Sequence, residues 1–392
     1  MTPPRLGDRS LFPSLEPFAY LNHAGVSPPA LPVREAVRGV LDDLARRGGG
    51  AVAASLERAE RLRGRLAGLL GCRPADVALT SGTTAGIQAV ALCLPWRRGD
   101  RVVLLSGEFP ANVTPWQQAA RTFGVEVAWV PLDAFLRSTQ EGLELLDAEL
   151  ARGARLVAVS AVQFRSGLRM PVAEMAARCA AAGAEIFVDA VQAAGVVPLE
   201  VRGVDYLAGG AHKWLTGVGG AGYLYVRPER VAALVPRTAG WLSHEDGVRF
   251  LVEGPGLLRH DRPVRARADF LEAGTASDMS RAALLAALEI LLGLGIPAIQ
   301  AHVGRYLDLL EPALRERGFR SLRAPEPERR SGILSVEPPP GHSTAALARA
   351  LRERGVACAT PDGALRLAPH WPNHEEEIPR VVRSLDEAMG RG

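Results

Sequence analysis

The residue best suited to covalent chemistry is a lysine. Lys213 is the only lysine in the sequence, and it lies between an apolar, strand-like segment and the glycine-rich turn Gly217–Gly220. Burial lowers the pKa of a lysine, and a neutral amine attacks an aldehyde to form a Schiff base, which a permanently protonated arginine cannot do. The alternative is a lysine in an exposed loop, but a chain that otherwise uses arginine favours the chemical role.

Two other segments carry polar groups at the ends of apolar elements. Thr80–Gly86 leads into an apolar helix, and the free N–H groups at a helix N-terminus bind phosphate. Asp189 ends an apolar strand, where a carboxylate can pair with a protonated ring nitrogen and keep that ring electron-poor. Each segment is also compatible with an ordinary helix N-cap, so neither decides the function alone.

An arginine near the C-terminus is the candidate for binding a carboxylate. Arg366 alternates with apolar residues in the short strand-like segment Leu365–Ala368. Its planar guanidinium matches the geometry of a carboxylate. A solvated or structurally paired arginine is the alternative. Arg165, Arg169 and Arg237 are candidates for lining a pocket for an acidic or bulky substrate side chain, and a surface position is the alternative for each.

The elements that must position these residues alternate between strands and helices. This alternation predicts an α/β fold with a mostly parallel sheet between two layers of helices. Ligands in such sheets bind beyond the carboxyl ends of the strands. The predicted strands are Arg101–Ser106, Val125–Val130, Leu156–Ser160, Glu185–Asp189, Tyr206–Ala208 and Tyr223–Val226. The helices predicted between them are Thr84–Leu94, Thr114–Phe123, Glu141–Ala151 and Val172–Ala182.

The sequence patterns at the two ends of the chain differ from the alternating pattern of its middle. The N-terminal quarter is helical, and the segment from Pro236 to Asp269 lacks clear periodicity, as functional loops often do. Two long helices and then short strands and helices follow it. We therefore predict a large domain of residues 21–273 and a smaller α+β domain formed by residues 1–20 and 274–392.

The composition limits the possible partners. The net charge of +3 over 392 residues gives no reason to expect binding to nucleic acid or a membrane. The four cysteines show no metal-binding spacing, so we predict no metal site and a reducing, cytoplasmic location. The apolar run Ala282–Ile299 contains Glu289 and Pro297, which favours a buried helix over a membrane span.

Taken in order, these motifs resemble the class V aminotransferase family, which includes cysteine desulfurases, kynureninase and isopenicillin N epimerase. The resemblance extends from Tyr20–Gly25 to Asn373–Glu376. It implies the fold of type I enzymes that depend on pyridoxal 5'-phosphate, with a seven-stranded sheet and a smaller C-terminal domain. It also implies a homodimer whose active site is shared between the subunits.

The resemblance assigns roles to individual residues. Lys213 would form the Schiff base with the cofactor, Asp189 would pair with its pyridine nitrogen, and Arg366 would bind the substrate carboxylate. Thr83 and Thr84 would bind the phosphate with help from His212, and Thr275 would reach the phosphate in the partner subunit. Gln163 and Gln192 would lie near the ring hydroxyl. The positions implied at the cofactor are Thr83, Thr84, Phe109, Gln163, Asp189, Gln192, His212, Lys213 and Thr275. Those implied at the substrate are Arg366, Ala24 and Gly25.

The chain departs from the cysteine desulfurases in two respects. Phe109 stands where they carry a histidine over the cofactor ring, and phenylalanine can stack on a ring but cannot carry protons. They also need a reactive cysteine on a loop before the Arg366 strand, whereas Cys358 lies too early and suits packing better. Desulfurase chemistry is therefore not the leading interpretation.

The implied reaction begins with an amino acid joined to the cofactor as an external aldimine, followed by removal of its Cα proton by Lys213. We predict an aminotransferase. A lyase that eliminates a β-substituent, including C–S and kynureninase-like lyases, and an amino-acid epimerase are the alternatives. A non-catalytic ligand-binding protein is disfavoured because Lys213 and Asp189 are both present. A plain nucleotide-binding enzyme is disfavoured because no GxGxxG or GxxxxGK[ST] motif follows an early strand.

Overall fold

The computed structural model describes residues 3–391 and is built around one seven-stranded sheet. Residues 1, 2 and 392, which fall in the predicted small domain, lie outside the described residues. The strands are β1 (Ala19–Tyr20), β2 (Val77–Thr80), β3 (Arg101–Ser106), β4 (Glu126–Pro131), β5 (Leu156–Ser160), β6 (Glu185–Asp189), β7 (Tyr206–Gly210), β8 (Gly222–Val226), β9 (Arg320–Ser321), β10 (Leu334–Glu337), β11 (Val356–Ala357) and β12 (Leu365–Leu367).

The order in the main sheet is β2-β8-β7-β6-β5-β3-β4. Strand β8 runs antiparallel to both of its neighbours, and the other pairs are parallel. Because parallel strands need crossover connections, helices lie between most of them. The predicted α/β class with a mostly parallel seven-stranded sheet is confirmed.

Helices cover both faces of the sheet. Alternate residues of a strand point to opposite faces, so the fully buried Val102 and Leu104 of β3 enter one apolar core while Val103 and Leu105 enter the other. The helices are α1 (Leu31–Arg47), α2 (Val52–Leu70), α3 (Thr83–Cys93), α4 (Thr114–Phe123), α5 (Leu132–Arg137), α6 (Thr139–Ala151), α7 (Val172–Ala181), α8 (Pro228–Val231), α9 (Arg249–Val252), α10 (Asp278–Leu294), α11 (Ile296–Glu316), α12 (Thr344–Glu353) and α13 (Ile378–Ala388).

The N-terminal segment joins the C-terminal part of the chain. Strand β1 pairs in parallel with β11, and Asn22 bridges to Ala368 just after β12. Strands β12, β10 and β9 form a second, antiparallel sheet. These pairings support the proposal that the first residues belong with the C-terminal unit, although the division at residue 274 stays a prediction.

Within residues 3–391, no single helix combines the length and apolarity that a membrane crossing requires. Helices α10 and α11, bent by 78° at their junction, satisfy a test of length and composition only when they are taken together.

Candidate active site

The carboxyl ends of three parallel strands form the floor of the candidate site. Ser160 ends β5, Asp189 ends β6 and Gly210 ends β7. Ser160 pairs with Asp189, and Asp189 pairs with Ala208, so the strand ends are in register. Several residues singled out in the sequence follow directly at this edge, where ligands bind in open α/β sheets.

Asp189 and Lys213 are ionisable residues of opposite charge at this edge of the sheet. Asp189 is buried, and its Oδ1 accepts a 2.9 Å hydrogen bond from the backbone N–H of Val191. Burial raises the pKa of Asp189 to about 6 against the effects of that hydrogen bond and of Lys213. Burial lowers the pKa of Lys213 to about 8, where Asp189 opposes the shift and Arg366 adds to it. A fraction of the Lys213 amine is therefore neutral and nucleophilic near neutral pH.

Three hydrogen-bonding atoms converge above Gly210. A Cβ placed on this glycine would lie 3.0 Å from Oγ1 of Thr83 and 3.5 Å from both the Thr83 backbone N and the His212 Nδ1. Thr83 Oγ1 is buried and has no hydrogen-bond partner among the described residues. Thr83 also begins helix α3, whose N-terminus carries no side-chain cap. The glycine thus leaves a small cradle of the kind that binds a phosphate oxygen.

Arg366 is a buried cation without a carboxylate partner in the described part of the chain. The residue is 6% exposed, and its Nη1 donates a 2.9 Å hydrogen bond to the carbonyl oxygen of Phe164. Its Nε has no hydrogen-bond partner among residues 3–391. Burial lowers the pKa of Arg366 to about 10. An unpaired buried guanidinium suits a ligand carboxylate, which would supply the missing charge and acceptors.

Two phenylalanines are neighbours of the lysine and the arginine. The Lys213 Nζ is 5.4 Å from the centroid of the Phe109 ring, which is 42% exposed. Phe109 meets Phe164 edge to face, with 5.3 Å between the ring centroids. Phe109 therefore presents an open aromatic surface beside the lysine, as a stacking role requires.

Sequence reasoning missed a buried acid in this site. Glu108 accepts hydrogen bonds from the backbone N–H of Ser160 (2.7 Å) and from Nε2 of Gln163 (2.9 Å), and Oγ of Ser160 also donates to it. Burial raises the pKa of Glu108 to about 7 despite these hydrogen bonds. Its position two residues after strand β3, at the carboxyl edge, was the available signal.

Gln192 makes a hydrogen bond within the protein from each end of its amide. Its Nε2 donates a 3.1 Å hydrogen bond to the carbonyl of Ala24, and its Oε1 accepts a 2.8 Å hydrogen bond from the indole of Trp214. Gly25 follows Ala24, and a Cβ on it would lie only 2.6 Å from Oδ1 of Asn22. Gln192 thus ties the predicted substrate segment, Ala24 and Gly25, to the residue after Lys213.

Two of the threonines predicted at the cofactor are exposed in the single chain. Thr84 lies in the first turn of α3, and Thr275 lies just before α10. A side chain that serves a partner subunit would be exposed in this way in a single chain. The role given to Thr275 stays a prediction.

The three additional arginines have separate environments. Arg165 pairs with Glu337 and Asp362 at 3.3 and 3.2 Å. Arg237 donates to the backbone carbonyls at the end of α3 and packs on an aromatic ring. Arg169 lines a cavity of about 680 Å³ that contains none of the predicted site residues. None of the three joins the group around Lys213.

Comparison with known proteins decides the family. The model of the family described as "Aminotransferase class-V" matches residues 20–369. The chain belongs to the class-V aminotransferase family. This membership confirms the resemblance that the motifs suggested.

Individual relatives of this class-V chain carry different names. It is 30% identical over 380 residues to "Uncharacterized aminotransferase YcbU" of Bacillus subtilis, covering 96% of each chain. It is 30% identical over 345 residues to an isopenicillin N epimerase of Streptomyces clavuligerus, covering 84% of each. Among solved structures, a lysine-to-alanine mutant of C-DES with glycine covalently linked to its PLP cofactor superposes with a TM-score of 0.87 at 25% identity, covering 96% of this chain and 98% of that one.

These findings establish a class-V enzyme that depends on pyridoxal phosphate and has the fold of type I enzymes. The groups at the sheet edge fit the parts of this cofactor. The cradle around Gly210 suits its phosphate, the buried carboxylate of Asp189 suits its ring nitrogen, and the amine of Lys213 suits its aldehyde.

Proposed function

We propose that this class-V enzyme is an aminotransferase in which Lys213 removes the Cα proton of an amino acid held by Arg366. The observation that carries this proposal is the amine of Lys213, whose pKa burial lowers to about 8 beside the buried Asp189. A general base works best when its pKa is near the operating pH.

Each residue contributes one task to this reaction. Pyridoxal phosphate, when bound, withdraws electrons from the substrate Cα. Asp189 would keep a proton on the pyridine nitrogen, and Thr83 with His212 would bind the phosphate. Arg366 would fix the substrate carboxylate, because a buried guanidinium gains most from a matched anion. The Phe109 ring would cover the cofactor and exclude water.

Lys213 would then carry out the proton transfer that defines transamination. Its Nζ would take the proton from the substrate Cα and hold it on the same side, where the cofactor, when bound, would supply the acceptor for the proton. One base on one side of the substrate is sufficient for this transfer. Phe109, 5.4 Å from Nζ, contributes no exchangeable proton.

Epimerisation is the second candidate, because an isopenicillin N epimerase is among the relatives. It requires proton delivery to both faces of Cα, for which Phe109 is unsuited. A cysteine persulfide reaction has less support. The thiol of Cys358 is 7% exposed, and burial raises its pKa to about 12, so it is a poor nucleophile.

We also propose that the enzyme works as a homodimer with a shared active site. The exposure of Thr275 supports this arrangement, since a side chain that reaches into a partner's site is free in a single chain. Sedimentation of the holoenzyme, together with mixing of Thr275→Val and Lys213→Ala subunits, tests it. A shared site predicts that the mixture regains part of the activity through hybrid dimers with one site carrying neither change.

The reaction type is tested by a half-reaction. Holoenzyme is mixed with single L-amino acids and no acceptor, and keto acid, sulfide and D-amino acid are measured separately. The proposal predicts close to one equivalent of keto acid per subunit and continued turnover after an acceptor keto acid is added. Catalytic release of sulfide, or D-amino acid without keto acid, would contradict it. Arg165→Met, which changes an arginine outside the site, serves as the control variant.

A further inference from the structure

Glu108 and Gln163 form a buried pair whose hydrogen bonds restrict each other. An ionised carboxylate can only accept hydrogen bonds, so it requires the NH₂ end of the Gln163 amide to face it. The 2.9 Å contact from Nε2 to Oε1 of Glu108 has this arrangement. The other end of the amide, Oε1 of Gln163, is buried and has no partner among the residues described.

The surroundings of Glu108 disfavour the ionised form of its carboxyl group. The residue is 7% exposed, and no cation is among the groups that act on its pKa in the part of the chain that the structure covers. From the neighbouring strand β5 it receives only the two donors of Ser160. From strand β6 it faces the negative charge of Asp189, and both this repulsion and burial favour a bound proton.

Protonation of Glu108 reverses the hydrogen-bonding role that it requires of the Gln163 amide. The protonated oxygen becomes a donor and can bind Oε1 of Gln163 while still accepting the Ser160 N–H. The Gln163 amide can satisfy this donor by turning over, after which its NH₂ group occupies the place where its oxygen had been. The same buried position then offers a donor in one state and an acceptor in the other.

We propose that Glu108 is a positioning residue whose protonation decides which end of the Gln163 amide faces the ring hydroxyl of pyridoxal phosphate. The inference rests on the proposed placement of Gln163 at that hydroxyl. Ionised Glu108 presents the amide oxygen, which favours a protonated ring hydroxyl. Protonated Glu108 presents the NH₂ group, which favours the ring oxyanion. When Glu108 is protonated, the proton of the ring hydroxyl would reside on the neighbouring Schiff-base nitrogen of Lys213. Only Glu108 then gains or loses a proton between the two states, so the position of the ring proton would follow the titration of Glu108.

The test is a spectroscopic pH titration of the holoenzyme without substrate. The absorption bands of the bound cofactor report the protonation of its ring oxygen, and they are recorded from about pH 5.5 to about pH 9. Wild type should show a transition near neutrality, because burial raises the pKa of Glu108 to about 7. Glu108→Gln keeps the shape of the side chain without its ionisation, so this transition should disappear.

Two further variants keep the proposal falsifiable if Glu108→Gln fails to bind cofactor. Ser160→Ala removes one donor to the Glu108 carboxylate, so the midpoint should move to higher pH by about one unit. Gln163→Leu removes the connecting amide, so the ring bands should lose their dependence on Glu108. A wild type without the transition, or variants with an unchanged midpoint and amplitude, would overturn the proposal.

The failure of this inference and that of the proposed function are distinguishable. If no keto acid forms in the half-reaction but the transition disappears in Glu108→Gln, the aminotransferase proposal fails and the role of Glu108 stands. If keto acid forms and all variants titrate as wild type, the role of Glu108 fails and the aminotransferase proposal stands.

Discussion

Replacing Arg366 by methionine should stabilise the folded enzyme while it removes binding of the substrate carboxylate. Burial lowers the pKa of this guanidinium from 12.5 to about 10. At ~1.4 kcal/mol per pH unit, this difference gives a folding cost of about 3 kcal/mol. Because the folded-state pKa lies below the unfolded value, this cost is fully present below about pH 10, falls as the pH rises from there and is absent above the unfolded value of 12.5.

The methionine also removes an interaction. The 2.9 Å hydrogen bond to the Phe164 carbonyl stabilises the fold by about 1.5 kcal/mol, so the expected net gain is on the order of 1–2 kcal/mol. In contrast to its effect on stability, the substitution should impair the reaction. Loss of one partner of a buried charge pair costs about 2–5 kcal/mol, which corresponds to a fall of about 30-fold to about 5000-fold in kcat/KM.

Calorimetric unfolding and steady-state kinetics of the same preparations measure both effects. Arg165→Met is the matched control, because Arg165 is partly exposed and already paired with Glu337 and Asp362. The control should change stability slightly or lower it, and change kcat/KM by no more than a few-fold. If Arg366→Met instead unfolds at lower temperature and retains the wild-type kcat/KM, Arg366 is a structural residue and the reasoning is refuted.

Three other perturbations test the remaining site residues. The rate at which apoprotein binds pyridoxal phosphate should rise with pH and level off above about pH 8, because the pKa of Lys213 is lowered to about 8. A rate that continues to rise up to about pH 10.5 would indicate a lysine with an ordinary pKa. Asp189→Asn should retain the cofactor but lower kcat/KM by about two orders of magnitude or more, and near wild-type kinetics would exclude the role at the ring nitrogen. Thr83→Val should weaken cofactor binding by about 10-fold or more in equilibrium dialysis, since a hydrogen bond to a charged group is lost, whereas unchanged binding would place the phosphate elsewhere.

The strands of the sheet were predictable because their residues are apolar and buried on both faces. The bounds predicted for β3, β5 and β6 agree with the structure, and those of β4, β7 and β8 differ by one or two residues. Strand β2 was missed: it has only four residues and joins the sheet next to the antiparallel β8, outside the βα alternation that guided the assignment. Helix α5 was also missed, since it forms only six residues between β4 and α6.

Some residues of the candidate site were likewise predictable from the sequence, and others were not. Asp189 and Lys213 follow strand ends, so the sequence alone indicated where they lie. Glu108 was not foreseen, because a glutamate is seldom buried and its partners, Ser160 and Gln163, are more than fifty residues away. The hydrogen bonds of the Gln192 amide with Ala24 and Trp214 likewise depend on tertiary contacts that spacing does not reveal.

The central claim is that Lys213 carries the cofactor. Holoenzyme is reduced with borohydride, digested, and examined by mass spectrometry. Since the chain has one lysine, only one ε-amino group can be labelled, and the N-terminal amine is the internal comparison. The account predicts a pyridoxyl group on the peptide containing Lys213, at close to one per subunit, and none in Lys213→Ala. An unmodified Lys213 peptide from a protein that retains its cofactor would contradict it.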